Sequence, residues 1–278
     1  MNDNELEVEV FGRDDAPVLL AHHGAPGLGS RAEPRATFAP LADQFRVIVF
    51  DARGSGASEG QGPFTHEQWV ADVDALRAWA GVEQFVMAGG SYGGFIAMEY
   101  AIRHPQRLRA LVLRDTSADH ENDKAARRNA ESSTRVKIDL EKLDRINTGR
   151  VRDDADLADC WREILPLYDH VYDPAAVGAK AAATPYRYQT HNFAFSVNMP
   201  SYDIKARLPE VTCPTLVTVG RGDWITPVAC SETIVSLIPD ARLVVFEKSG
   251  HSPQIEEAEL WRQVVRGFLD EVGADGQR

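Results

Sequence analysis

A few short stretches of the chain hold side chains suited to one kind of chemistry. The first is Gly89-Gly90-Ser91-Tyr92-Gly93-Gly94. Ser91 stands in a Gly-x-Ser-x-Gly pattern, with an apolar run before it and a helical pattern after it. A strand-to-helix turn that sharp needs small neighbours. It lifts the serine hydroxyl clear of the backbone, and the first turn of the helix aims N–H groups at the same spot. The bland alternative is a glycine-rich turn without chemistry. A serine hydroxyl is a weak nucleophile and needs an adjacent base. Of the eight histidines, His251 lies in Lys248-Ser249-Gly250-His251-Ser252-Pro253, directly after the last apolar run. His66 and His104 fall at helix ends and are expected as caps or surface residues. The base needs a carboxylate to fix its tautomer and stabilise the imidazolium. Asp223, in Gly220-Arg221-Gly222-Asp223-Trp224-Ile225-Thr226-Pro227, is the expected acid. A turn or N-cap aspartate is its bland alternative, and Asp115 is the fallback acid.

Charge developing on an attacked carbonyl oxygen also needs N–H donors. Tyr92, next after the serine, is expected to supply one. The tight turn His22-His23-Gly24-Ala25-Pro26-Gly27 is expected to supply the other. Ala25 is the chosen donor, because its side chain permits close backbone approach, and His23 is expected to orient the loop. Asp51-Ala52-Arg53-Gly54-Ser55-Gly56-Ala57-Ser58 reads as support: its glycines allow tight turns, and Asp51 and Arg53 can tie the loop down. Gly54-Ser55-Gly56 lacks the third glycine of a dinucleotide-binding turn. No spacing of His, Cys, Asp and Glu fits a metal site, so neither metal nor cofactor is expected.

These residues are far apart in sequence, and the elements between them must bring them together. Residues 6–11 alternate polar and apolar, as an edge strand does. Residues 17–22, 46–50, 84–88, 108–113, 214–220 and 242–247 are short apolar runs, while 67–80, 92–103, 227–237 and 258–272 have helical spacing. This alternation predicts an α/β fold with a mostly parallel central sheet flanked by helices. The loops after Ser91's strand, Asp223's strand and His251's strand then share the carboxyl edge. Residues 118–200 break the pattern, first strongly charged and then aromatic, and read as an inserted helical lid. Residues 1–117 and 201–278 form the core domain.

Hydrophobic residues make up 44% and charged residues 26% of the 278, enough apolar surface for a core. The net charge of -12 argues against nucleic acid or an anionic membrane as partner. The three cysteines fit no disulfide framework, residues 1–10 lack a signal-peptide pattern, and no apolar run nears the roughly 20 residues of a membrane span. A soluble cytoplasmic protein with a small-molecule substrate is the expectation, its oligomeric state left open.

Taken together, these motifs resemble the α/β-hydrolase superfamily over nearly the whole chain. Within it the chain looks most similar to the proline iminopeptidase group. The likeness rests on His23 to Gly27, the loop from Asp51 to Ser58, Gly-Gly-Ser-Tyr-Gly-Gly, the stretch ending at Pro227, and a lid before it. The resemblance implies a helical lid that reads the substrate's amino terminus. Three positions depart from that group's pattern: Ala25 replaces a glycine, Trp224 replaces a glutamate that pairs with the substrate's ammonium, and Asn192, in register with Tyr202-Asp203-Ile204, replaces a second such glutamate. The expectation is therefore a serine hydrolase acting through an acyl-enzyme on a small or medium, largely apolar ester, lactone or amide. Trp161, Asn192, Phe193 and Trp224 are expected in its pocket. An N-terminal prolyl aminopeptidase is the second reading. A non-catalytic binding protein is the third, disfavoured because a binder has no need of the Ser, Asp and His. A dehalogenase or epoxide hydrolase with an aspartate nucleophile is disfavoured by the serine at the elbow.

Overall fold

A computed structural model describes residues 2–274. Its centre is a seven-stranded sheet: β1 (Val8–Phe11), β2 (Val18–His22), β3 (Arg46–Phe50), β4 (Phe85–Gly90), β5 (Leu108–Arg114), β6 (Thr215–Gly220) and β7 (Ala241–Phe246). The order is β1-β3-β2-β4-β5-β6-β7. Only β1 runs antiparallel, at the edge; the rest pair in parallel.

Period-two alternation divides the apolar strand residues between two cores. Leu20, Ile48, Met87, Leu111 and Val217 face α2 (His66–Trp79), α3 (Tyr92–Arg103) and α9 (Val228–Leu237). Leu19, Val47, Val86, Val112 and Leu216 face α1 (Ala32–Phe38) and α10 (Ala258–Glu271). Because both faces are covered, the central strands are continuous apolar runs. Each such side chain contributes about 1.5–3 kcal/mol by burial. Helix α1 has no sequence expectation behind it: it is one seven-residue helix with Pro34 in its first turn, and proline is tolerated there. Thr65 caps α2 by accepting from the Gln68 N–H.

Between β5 and β6 lie five helices: α4 (Asn122–Glu131), α5 (Leu140–Asn147), α6 (Asp154–Ile164), α7 (Pro174–Ala183) and α8 (Tyr188–Phe193). They pack around an apolar cluster of their own, into which Leu28 and Trp224 insert from loops of the sheet. At the neck of this segment the chain pairs with itself: Asp119 bridges Asp203, and the Ile204 N–H reaches the Ala118 carbonyl. Ala194 and Met199 already belong to the sheet's own core, so the chain returns to the sheet before residue 200. Among the described residues no helix is long and apolar enough to cross a membrane.

Candidate active site

Every stretch singled out for its chemistry follows a strand of the parallel array. His23 comes after β2, Asp51 after β3, Ser91 after β4, Asp115 after β5, Asp223 after β6 and His251 after β7. Parallel strands put all these loops at one edge of the sheet.

Ser91 is the residue between β4 and α3, with φ 52° and ψ -123°. A non-glycine residue there stores about 1–3 kcal/mol of strain. Three hydrogen bonds hold it: the Ser91 N–H donates to the Arg114 carbonyl at 2.9 Å, and the Ser91 carbonyl accepts from Thr116 Oγ1 at 2.8 Å and from the Gly94 N–H at 2.9 Å. Gly93 lets the helix start press on the loop after β2. A methyl group on it would lie 2.4 Å from the His23 carbonyl oxygen. The Tyr92 side chain turns inward, and its hydroxyl meets His66 Nε2 at 2.7 Å while His66 Nδ1 meets Glu99 at 2.6 Å. His66 is therefore neither a cap nor a surface residue. It is buried because it links two polar groups on α3, and that link exists only once α2 has packed against α3.

The turn at His23 lies against the elbow: a methyl on Gly24 would be 3.6 Å from Ser91 Cβ. His23 orients this turn from inside, with Nδ1 at 2.9 Å from the Gly24 carbonyl and Nε2 accepting from the Ala52 N–H at 3.0 Å. Asp51 is held by Arg31 and by the Ala57 N–H, and Arg53 forms a buried pair with Asp72 at 2.8 Å. The loop from Asp51 to Ser58 is thus tied to the turn beside Ser91.

His251 is fixed at three points. Its Nδ1 meets Asp223 Oδ2 at 2.8 Å, its N–H donates to the Tyr168 carbonyl at 2.7 Å, and its carbonyl accepts from Arg114 Nη1 at 3.1 Å. Asp223 also accepts from the Thr226 hydroxyl at 2.7 Å and from the Ile225 and Thr226 N–H groups. Burial alone pushes Asp223 up, but the His251 ring and Thr226 together hold it below the usual carboxylate range. Asp115 is different. It is fully buried at φ 46° and accepts from the Gly220 N–H at 3.0 Å. Burial first, and then the neighbouring Asp223 charge, push its carboxyl up to about 7. Of the two acids, it is Asp223 that bonds the imidazole. Asp115, Asp223 and His251 offer ligand atoms within 4.8 Å of one another, the one grouping of metal-ligand type among the described residues. Three different loops contribute it, so no sequence spacing marks it. Hydrogen bonds from within the protein engage the oxygens of both carboxylates, Arg114 Nη1 reaching Asp115 Oδ2.

Arg114 joins the site although no sequence motif singles it out. Its guanidinium lies under the elbow and donates to His251, to Asp115 at 3.3 Å and to Glu33 at 3.0 Å. The available signal was a charged residue ending a buried strand. Glu33 comes from α1 and also accepts from Gln254.

Ser91 and His251 open into one cavity of about 690 Å³. Its wall is built from Ala25, Leu28, Tyr168 and Trp161 among others, and Arg114, Glu33, Asp169, Lys180, Lys248 and Glu256 add charges. Of the expected pocket residues Trp161 is on this wall, whereas Asn192, Phe193 and Trp224 are not. Asn192 uses both ends of its amide on the Val151 backbone, at 3.2 and 2.7 Å. Phe193 packs edge-on against Phe64, with ring centroids 6.0 Å apart. Trp224 is drawn into the apolar cluster of the inserted helices behind Tyr168, 5.7 Å away, and its carbonyl accepts from Asn129 at 2.8 Å. Its bulk docks the inserted segment on the Asp223 loop.

The sequence matches the alpha/beta hydrolase fold family over residues 17–258. It is 33% identical over 274 residues to a proline iminopeptidase, PfmaB, of Pestalotiopsis fici, covering 97% of this chain and 98% of the relative. Among solved structures, a thermophilic esterase from Thermogutta terrifontis superposes with a TM-score of 0.71 at 30% identity, covering 97% of this chain and 94% of that one. The enol-lactonase from Burkholderia xenovorans superposes with a TM-score of 0.78 at 23% identity, covering 97% and 98%, and shares the fold. Sheet order, elbow and sequence match agree, and the chain belongs to the α/β-hydrolase family.

Proposed function

We propose that the protein is a serine hydrolase that cleaves a small or medium, largely apolar ester or lactone through an acyl-enzyme. The observation that carries this is the His251–Asp223 bond at 2.8 Å, with His251 and Ser91 walling the same cavity. With Nδ1–H donated to Asp223, Nε2 is the free base. It takes the Ser91 proton as Oγ bonds to the substrate carbonyl carbon. The oxyanion is received by the N–H groups of Ala25 and Tyr92, a role supported by the contact between the His23 turn and the elbow. Collapse breaks the bond to the leaving oxygen, which takes the proton from His251. Water activated by His251 then releases the acid. The helices between β5 and β6 serve as the lid over this cavity. The esterase relative at 30% identity supports the choice of ester. A cytoplasmic setting belongs to the same proposal, supported by the free thiols of Cys160, Cys213 and Cys230.

A prolyl aminopeptidase is the second reading, favoured by the relative at 33% identity and by three cavity carboxylates. Two of these are already engaged. Glu33 accepts from Arg114 and Gln254, and Glu256 accepts from the His170 N–H at 2.5 Å and the Gly250 N–H at 2.7 Å. A buried ammonium without a committed carboxylate partner costs several kcal/mol. Matched prolyl esters with free and acylated amines decide between the readings. The acylated ester is expected to have the higher kcat/KM, and Ser91→Ala to abolish turnover. Preference for the free amine, lost on acylation, would establish the aminopeptidase instead.

A further inference from the structure

The cavity holds a cation that the reaction above does not use. Lys180, on the inserted helix α7, lines the cavity with Ser91 and His251. Its ammonium lies 5.3 Å above the Tyr168 ring, and that ring stands edge-on to the His251 ring at 5.2 Å. One aromatic side chain thus separates the ammonium from the base. Among the described residues, no carboxylate is within the 4.0 Å of an ion pair with it. Asp169, Glu33 and Glu256 act on it from farther away, and Arg114 opposes them. Glu33 is turned to Arg114, and Glu256 to backbone N–H groups. The other cavity cations differ in kind. Arg114 is shared among Glu33, Asp115 and the His251 carbonyl, and Lys248 is exposed to solvent.

Burial, its dominant influence, pushes the Lys180 ammonium down. A cation held in this cavity with no carboxylate at ion-pair distance gains when a ligand brings one into contact. We infer that Lys180 binds a carboxylate, so that the substrate is an ester or lactone with one anionic end and an apolar body. The inference rests on the acyl-hydrolase reading of the same cavity. A compact ammonium suits a single carboxylate oxygen without demanding the planar, bidentate geometry of a guanidinium. The Tyr168 face would keep the ammonium directed into the cavity in the absence of ligand.

The test compares para-nitrophenyl hydrogen glutarate with para-nitrophenyl valerate, and a second pair with the carboxylate on the alcohol side. The quantity read is the ratio of kcat/KM, carboxylated over neutral. It is expected to favour one carboxylated ester in the unaltered protein. It should fall about tenfold or more in Lys180→Met, chiefly through KM, and be largely retained in Lys180→Arg. A ratio untouched by Lys180→Met, or favouring the neutral ester in both pairs, overturns the inference. Calorimetry of the same carboxylated esters on Ser91→Ala reads binding without turnover, with Lys180→Met added to that background. Ser91-dependent cleavage of the neutral ester without carboxylate preference would leave the hydrolase reading standing and remove Lys180 from it. Absence of cleavage, together with Lys180-dependent binding, would do the reverse.

Discussion

Two buried carboxylates flank one imidazole, and hydrogen bonding separates their roles. Asp223 has hydrogen bonds from His251 Nδ1, the Thr226 hydroxyl and two backbone N–H groups. Asp115 has the Gly220 N–H and a longer contact with Arg114. Asp223→Asn is therefore expected to lower kcat by roughly 10⁴, as removal of a tautomer-fixing acid does elsewhere, and Asp115→Asn by far less. Steady-state kinetics on one ester rank the two; the reverse order moves the acid to Asp115. The same pair predicts a pH effect on stability. Asp115 is raised in the folded state to about 7, above an unfolded value of about 3.9. The folded protein then holds the extra proton between these limits, and stability falls as pH rises through that window. Asp115→Asn is expected to flatten this slope in melting temperature between about pH 4 and 7, and an unchanged slope contradicts the assignment. That Ser91, Asp223 and His251 lie at one edge of the sheet was legible in the sequence, because each follows an apolar strand. His66, Arg114 and Glu33 were not, because their partners arrive from other elements only in the folded chain.

At the scale of elements, the start of α3 is set against the loop after β2. Gly93 stands where a methyl would press into the His23 and His22 carbonyl oxygens, at 2.4 and 2.7 Å. Both are backbone atoms and cannot swing aside. Gly93→Ala is expected to lower the melting temperature and to remove most activity, because relief of the clash moves the turn away from Ser91. Activity within about threefold of the unaltered protein, at unchanged stability, would show that this contact does not position the turn. The strands and long helices could be read from periodicity to within a few residues. Helix α1 could not, since its seven residues include Pro34 and follow a loop-like Gly-Leu-Gly-Ser stretch. Trp224 and Asn192 were legible as departures from a family pattern but not as contacts. Trp224 is claimed by the apolar cluster around Trp161 and Tyr168, and Asn192 by the Val151 backbone. Sequence position placed both near the site; packing turned them away from it.

For the whole molecule, the sheet brings the proposed nucleophile, acid and base, Ser91, Asp223 and His251, to one edge, and the helices between β5 and β6 supply much of the cavity wall. Trp161, Tyr168 and Lys180 all come from that segment, and because the Tyr168 carbonyl also holds the His251 N–H at 2.7 Å, the segment is joined to the imidazole as well as to the cavity wall. The segment's charged first half gave no hint of this, because its charges pair among themselves, as Asp156 does with Arg145 and Arg152. In the proposed reaction Ser91 carries the acyl group. Treating the protein with an activated alkyl phosphonate ester and mapping the adduct by peptide mass spectrometry identifies the residue that does so. One phosphonylated residue is expected, Ser91, with labelling and hydrolysis both lost in Ser91→Ala while the fold is retained. Inactivation with the label on another residue, or ester hydrolysis persisting above about a tenth in Ser91→Ala, would contradict it.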